Sequence, residues 1–190
     1  MTSNFGEDGR RLSYGSYLRI PELLSLQEGM TEAHDELLFI VVHQAYELWF
    51  KLLLHELEAA RDSMFAGEAF AALHSLKRVK VVERLLVEQI EVLETMSPAD
   101  FLAFRSELAP ASGFQSVQFR ELEFLSGLKN PAYLKRLEAD TEERSRLERR
   151  LAEPTLWDGF TALLAKHGST SISEVIRTRQ QPAELFDMAE

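Results

Sequence analysis

A histidine in an otherwise apolar helical stretch is the residue of this sequence best suited to chemistry. His43 lies in the segment from Leu37 to Leu54, with Phe39 one helical turn before it and Glu47 one turn after it. An imidazole in such surroundings can act as a hydrogen-bonding or acid–base group that faces an internal ligand. It can equally be a core histidine whose ring bonds a neighbouring polar group. The residues alone leave both interpretations open.

Two arginines are candidates for binding an anion. Arg105 follows Phe101 by one turn and precedes a loop at 109–116 that contains proline and glycine. Guanidinium groups bind carboxylates through two parallel hydrogen bonds, so this position suits carboxylate capture. The alternative is a surface arginine whose stem covers apolar neighbours. Arg120, in the run Gln118-Phe119-Arg120, is a weaker candidate of the same kind.

Other kinds of chemistry are poorly supported by the residue types and their spacing. The chain has no cysteine, which excludes disulfides, thiolate metal sites and thioether-linked haem within these residues. None of the five histidines has a glutamate three positions earlier, so a ferritin-like di-iron site is not indicated. No hydrolase or phosphate-loop motif is present. The net charge of −10 argues against general binding to nucleic acid.

The elements that must position these side chains all have helical periodicity. Proline, glycine and capping residues punctuate the chain, and no segment alternates with period two. We therefore predict an all-α helical bundle built on a long, buried central helix. The predicted elements are a short helical segment 14–26 with Pro21 in its turn, a helix 32–65 capped by Thr31, a helix 68–96, a helix from Pro98 to about 108, a helix 116–127, a charged helix from Pro131 with a solvated face over 138–150, and a helix from Pro154 to Gly168.

The ends of the chain differ from its middle. Residues 1–11 are polar and are expected to form a flexible tail, while 12–190 are expected to form a single helical domain. The start has no apolar signal segment, so a cytoplasmic location is expected. After a loop at 169–181, a last helix beginning at Pro182 has no C-cap and ends on Glu190. This pattern predicts a domain that is incomplete at its C-terminus.

Several segments in order resemble the tryptophan 2,3-dioxygenase family, from about residue 12 to 168. The matching runs are Tyr14-Gly-Ser-Tyr-Leu18, His34-Asp-Glu-Leu-Leu-Phe-Ile-Val-Val-His-Gln44, Glu47-Leu-Trp49, His55-Glu-Leu57, Leu93-Glu-Thr-Met-Ser-Pro98, Phe104-Arg105, Pro110-Ala-Ser-Gly-Phe-Gln-Ser116 and Gln118-Phe-Arg120. The resemblance implies an all-α haem enzyme that opens the indole ring of L-tryptophan with O2, giving N-formylkynurenine in the kynurenine pathway.

The resemblance also implies a role for particular residues. His43 resembles the distal histidine that bonds the indole N–H, and Arg105 resembles the arginine that pairs with the substrate carboxylate. Phe39 with the adjoining Ile40, Val41 and Val42, and Phe101, would line the same substrate pocket. Ser112 and Gly113 would lie beside the oxygen-binding face of haem b. Tyr14 and Tyr17 resemble residues that complete a neighbouring subunit's pocket, which implies a homotetramer.

The family's axial histidine and a Gly-Thr-Gly-Gly motif are not matched in these residues, and the axial ligand is expected beyond residue 190. His167 is not a convincing substitute, because a histidine at a helix C-terminus is expected from the helix dipole. Two alternatives stay open at this point. One is a relative that oxidises a tryptophan derivative in secondary metabolism, and the other is a truncated helical homologue without catalysis.

Overall fold

A computed structural model describes residues 12–139 and 141–167, and this part of the chain is helical without a strand. The all-α class predicted from periodicity is therefore confirmed. The α-helices are α1 Tyr14–Leu18, α2 Ile20–Leu24, α3 Glu36–Ala66, α4 Ala69–Glu94, α5 Pro98–Arg105, α6 Val117–Leu125, α7 Glu142–Ala152 and α8 Leu156–Lys166. Two 3₁₀ helices, Gly113–Gln115 and Pro131–Arg136, lie between them.

Local capping residues set several of these boundaries. The Ser97 hydroxyl accepts the Asp100 N–H while the Asp100 carboxylate accepts the Ser97 N–H, so helix α5 begins with a reciprocal capping box. Thr155 and Asp158 make the same arrangement at the start of α8. Helix α3 ends before Gly67, whose φ of +90° is a conformation that glycine adopts without strain.

The start of α3 differs from the prediction. The helix begins at Glu36 rather than near residue 32, and Thr31 does not cap it. Instead the buried Glu36 carboxylate accepts the N–H groups of Met30 and Thr31, at 2.7 and 2.8 Å, and the Thr31 hydroxyl at 2.6 Å. These bonds, first that of the Thr31 hydroxyl, lower the pKa of Glu36 below its usual value. Thr31 was a reasonable candidate for a cap, but its hydroxyl binds this carboxylate.

The charged segment after Pro131 also differs from the prediction. It forms a 3₁₀ helix that ends at Arg136, and α7 starts separately with Thr141 as its cap. An i,i+4 ion pair joins Arg144 and Glu148 at 2.9 Å. However, Arg150 is buried, so the stretch 138–150 is not simply a solvated face.

The described residues group into two compact units, one of residues 12–45 and 90–111 and one of 46–89 and 112–167. The single domain over 12–190 stays a prediction. The predicted tail 1–11, the loop 169–181 and the last helix lie outside the described residues.

The apolar core of the second unit is formed by three helices. Its buried members come from α3, α4 and α6: Leu53, Leu54, Leu57, Val79, Val82, Leu86 and Leu125. A smaller cluster joins Val117 and Phe124 of α6 to Leu147 of α7. Gly159 of α8 lies so close to α3 that a Cβ there would be 3.0 Å from the Arg61 carbonyl oxygen.

Helix α3 is long and apolar enough to cross a membrane by length and composition alone, a test that core helices also pass. Its C-terminal half contributes to the core just described, and Glu56 on this half is buried and bonded to Arg78. These features are those of a core helix, and no membrane protein is indicated. The predicted burial of the whole helix is only partly right, because Leu37, Val41 and Leu48 are exposed.

A network of charges joins the helices of the second unit. The Arg150 guanidinium bonds the carboxylates of Glu58, Glu121 at 3.2 Å and Glu153 at 2.9 Å. Glu121, which is 1% exposed, also bonds Arg146. Burial alone would lower the pKa of Arg150, but the bond to Glu58 and the surrounding carboxylates raise it overall.

Candidate functional site

Four rings gather between α3 and α5 in the first unit. Phe39 lies with its ring centroid 4.0 Å from that of His43, 6.0 Å from that of Phe101 and 5.6 Å from that of Phe104. Phe101 and Phe104 meet edge to face at 5.6 Å. Such tilted and edge-to-face pairs are favourable for aromatic rings. The structure thus brings together three of the predicted pocket residues, Phe39, His43 and Phe101.

One nitrogen of His43 is already bonded within its own helix. Nδ1 lies 2.8 Å from the Phe39 carbonyl oxygen. A carbonyl can only accept, so Nδ1 carries the hydrogen and donates it. In the neutral ring this leaves Nε2 with a lone pair, and Nε2 has no hydrogen-bond partner within 12–139 and 141–167. One nitrogen is thus satisfied locally, as in a core histidine, and the role of the other toward a ligand stays a prediction.

Arg105 is the last residue of α5 and lies beside the aromatic group. Its guanidinium carbon is 5.9 Å from the Phe101 ring centroid, within the range of a cation–π contact. Arg105 is exposed and makes no ion pair with the described residues. A basic residue in the last turn also suits the helix dipole. The group can therefore bind an external carboxylate without first breaking a salt bridge.

Neighbouring segments hold the N-terminal half of α3 in place. The Gln44 side chain accepts from the Gln27 amide at 2.5 Å and donates to the Leu26 carbonyl at 2.9 Å. Together with Glu36 and the turn at Met30 and Thr31, these bonds attach the segment after α2 to the helix that carries Phe39 and His43. The capping box of Ser97 and Asp100 fixes the start of α5, the helix that carries Phe101 and Arg105.

The remaining predicted pocket residues of this unit differ in exposure. Ile40 is half-buried, Val41 is exposed and Val42 is buried. Tyr14 and Tyr17 lie on the short helix α1 with 78% and 71% of their surfaces exposed, so their rings are not packed in the manner of core residues. The substrate and subunit roles assigned to these residues stay predictions.

Ser112 and Gly113 lie in the second unit, at the 3₁₀ helix Gly113–Gln115. The Ser112 hydroxyl accepts the Phe114 N–H at 3.3 Å, and the Gln115 side chain accepts the Ser112 N–H at 3.0 Å. Ser112 also lines a cavity of about 310 Å³. Capping on both sides gives this loop a defined conformation, and its role toward haem stays a prediction.

The donor set of the first unit fits one face of a haem rather than an iron ligand set. Aromatic rings and one imidazole Nε2 suit an apolar macrocycle with a polar group above it. Within the described residues, no three His, Asp or Glu side chains form a group that could hold a metal ion. The predicted axial histidine, beyond residue 190, lies outside the described residues.

Sequence reasoning missed the most buried member of the aromatic group. Phe104 is 0% exposed and contacts both Phe39 and Phe101, yet only its position in a matching motif was noted. Its spacing of three residues from Phe101 could have placed both rings on one face of α5.

Known proteins resemble this chain over most of its length. A family model described as tryptophan 2,3-dioxygenase matches residues 2–168. A tryptophan 2,3-dioxygenase of Nocardioides sp. is 61% identical over 178 residues, which is 90% of this chain and 67% of that protein. The enzymes of the same name from Herpetosiphon aurantiacus and Anaeromyxobacter sp. are 48% and 47% identical, over 87% and 83% of this chain.

The length of these relatives limits what the similarity covers. The match accounts for 64% of the Herpetosiphon protein and 59% of the Anaeromyxobacter protein. The chain thus spans about two thirds or less of the curated relatives it matches.

Proposed function

This chain belongs to the tryptophan 2,3-dioxygenase family, and we propose that it acts in a haem-dependent dioxygenase that opens the indole ring of L-tryptophan with O2 to give N-formylkynurenine. The observation that carries the proposal is the group formed by Phe39, His43 and Phe101, with Arg105 beside it. These residues offer a flat apolar surface, one acceptor nitrogen and one cation. Those are the features that an indole, its N–H and an amino-acid carboxylate require.

His43 holds the indole N–H. Because Nδ1 donates to the Phe39 carbonyl, Nε2 is the acceptor, and the helix itself fixes which nitrogen faces the substrate. A hydrogen bond from the indole N–H to Nε2 orients the ring without requiring a charge on the imidazole. Any indole proton that Nε2 takes during the reaction must be returned, because the formamide nitrogen of N-formylkynurenine still carries a hydrogen.

Arg105 holds the other end of the substrate. Its guanidinium pairs with the carboxylate, and the contact with Phe101 restricts how the side chain is placed. Phe39 and Phe101 supply the apolar surface for the indole and exclude water from it. Binding at two ends fixes the substrate in one orientation, which is the main contribution of a protein whose cofactor carries the oxygen chemistry.

Haem b would be held beside the loop of Ser112 and Gly113, and when bound it supplies the iron that binds O2. The tight loop leaves little side-chain bulk at Gly113, which allows a close approach by a flat group. The histidine that would hold the iron is expected outside these 190 residues. Tyr14 and Tyr17, exposed on α1, would complete the pocket of a neighbouring subunit in a homotetramer, and the enzyme would act in the cytoplasm.

The proposal is tested by the absorption spectrum of the haemin-loaded protein with and without L-tryptophan, followed by product identification. We expect a protein-bound Soret band that shifts with L-tryptophan. The variant His43→Gln should lose most of the preference for L-tryptophan over 1-methyl-L-tryptophan, which lacks the N–H. His55→Gln, an exposed position on the same helix, is the matched control.

Two results would contradict the proposal. One is a haemin spectrum that L-tryptophan leaves unchanged in a protein that includes the iron-ligating histidine expected beyond residue 190. The other is a preference for L-tryptophan that His43→Gln and the control alter equally. Conversion of a substituted tryptophan but not of L-tryptophan would move the activity to a relative with a different substrate.

A further inference from the structure

The second unit contains a cavity of about 310 Å³, and of the residues given a role in the proposed function only Ser112 lines it. Its apolar lining includes Val117 of α6 and Leu147 of α7, together with Leu137. Its polar lining includes Arg120, Tyr133 and Arg136, and none of the acidic residues that the structure describes lines it. A cavity of this size is at the small end of the range for sites that bind small molecules, roughly 300–1,000 Å³.

Arg120 has one buried donor without an acceptor. Its Nη1 donates to the Glu123 carboxylate at 2.7 Å and to the Tyr133 hydroxyl at 3.0 Å, and its Nη2 donates to the Phe114 carbonyl at 3.3 Å. Nε is buried and finds no partner among the described residues, and the whole side chain is only 8% exposed. Buried N–H groups almost always have an acceptor, and a molecule in the cavity can supply one.

A second guanidinium lies at the same ring. The guanidinium carbons of Arg120 and Arg136 are 4.0 and 5.5 Å from the Tyr133 ring centroid. Arg120 is balanced by Glu123, whereas Arg136 makes no ion pair within 12–139 and 141–167. An anion in the cavity would therefore pair with Arg136, which has no carboxylate partner among the described residues.

From these observations we propose that the cavity binds the carboxylate of a ligand with an apolar body. The carboxylate would accept from Nε of Arg120 and pair with Arg136, and the body would pack on Val117, Leu137 and Leu147. One negative charge suffices, because Glu123 already neutralises Arg120. This chemistry has two sources, a free arylalkanoic acid or a propionate group of haem, and the second source rests on the proposed function.

The first arm of the test uses a free acid. Binding of 3-(4-fluorophenyl)propionate to the whole chain is followed by ¹⁹F NMR, with 3-(4-fluorophenyl)propan-1-ol as the uncharged analogue. We expect the acid to bind and Arg136→Gln to weaken it about 10-fold or more, since hydrogen bonds to charged groups are the strong ones. Arg136→Lys should retain part of the affinity. Lys135→Gln, the neighbouring exposed cation outside the cavity lining, should leave it unchanged.

The second arm separates the two sources. Affinity for haemin is compared with affinity for haemin dimethyl ester, whose propionates carry no charge. If Arg136→Gln lowers the preference for haemin, the ligand is a haem propionate. If the preference is unchanged and the fluorophenylpropionate still binds the haemin-loaded protein, the ligand is a free acid.

The proposal is overturned if Arg136→Gln and Lys135→Gln behave alike in both arms, or if the acid binds no better than the alcohol and the haemin preference is unaffected. Its failure is separate from that of the proposed dioxygenase activity. Binding of the acid through Arg136 in a protein whose spectrum ignores L-tryptophan would support this site and contradict that activity.

Discussion

The two units of this chain use apolar and charged side chains in different ways. In the second unit, leucines and valines from three helices form a buried cluster, and the carboxylate of Glu121 is buried between arginines. In the first unit the buried apolar side chains are Val42 and Phe104, while many others, including Leu37 and Leu102, are exposed. The proposed substrate residues belong to this first, sparsely packed unit.

The difference indicates that the buried core is concentrated in the second unit, whereas the proposed L-tryptophan-binding residues lie in the first. A buried network loses much when one member is removed, because the charges left behind have no water to solvate them. Replacing an exposed arginine beside a ring should change the free energy of unfolding only a little, and such an arginine is open to a ligand. Substitutions in the two units should therefore change different measurable quantities.

The largest effect on folding is expected at Glu121. Glu121→Ala removes one carboxylate from Arg150, which keeps Glu58 and Glu153, and the carboxylate that Arg146 binds, so the cost should approach the lower end, about 3 kcal/mol, of that for breaking a buried pair. The free energy of unfolding from urea denaturation measures it. Glu148→Ala removes only the exposed pair with Arg144 and should cost about 0.2–1 kcal/mol. Equal losses for the two variants would remove the distinction between the buried network and the surface.

Arg105 tests the opposite behaviour. Arg105→Gln should weaken L-tryptophan binding to the haemin-loaded protein by about 10–100-fold, because a charged hydrogen bond to the carboxylate is lost. Its free energy of unfolding should change by less than about 0.5 kcal/mol, since the side chain is exposed. Arg84→Gln, an exposed arginine of α4, should change neither. A large loss of stability in Arg105→Gln would assign this residue a structural role.

Matched caps in the two units provide a finer comparison. Ser97→Ala and Thr155→Ala each remove an N-cap of a short helix and should each cost about 0.5–2 kcal/mol. Only Ser97→Ala should also weaken L-tryptophan binding, because α5 carries Phe101 and Arg105. Spectroscopic titration of both variants at equal fractions folded measures this. Equal weakening would show that the binding residues do not depend on their own helix start.

The smallest effect is confined to acid solution. The bonds from Thr31 and Met30 lower the pKa of Glu36 in the folded state below its ordinary value of 4.5. A carboxylate with a lowered pKa stabilises the fold above its unfolded-state value, and this contribution is lost as the pH falls through the folded-state value. The stability of Glu36→Gln should therefore depend less on pH below about 4.5 than that of the unchanged chain. Identical acid profiles would contradict this role.

Features encoded by adjacent residues were the predictable ones. Ser97, Pro98 and Asp100 predict the start of α5 because the cap, the first turn and its acid all lie within four positions. Phe39 and His43 share a face because they are one turn apart, and the structure places their rings together.

Features that depend on distant partners were not predictable. Arg150 belongs to a charged stretch that resembles a solvated face, but its partners Glu58 and Glu121 come from other helices. Arg120 was a candidate for carboxylate binding, and only the structure shows that three of its contacts are internal and that one donor is left over. The sequence shows which residues are charged, but tertiary packing decides which of them become buried.

The close approach of α8 to α3 also limits which sequences this fold accepts. Gly15 in α1 has open space where a Cβ would be, so a larger residue there meets nothing within the chain. At Gly159 a Cβ would meet the Arg61 carbonyl oxygen at 3.0 Å and Met64 at 3.4 Å. A relative with alanine at position 159 must therefore have its two helices a few tenths of an ångström farther apart, because every residue at position 61 has this carbonyl. The residue type at position 159 therefore depends on the distance between α3 and α8. Comparing this position among relatives would show whether that distance has been kept.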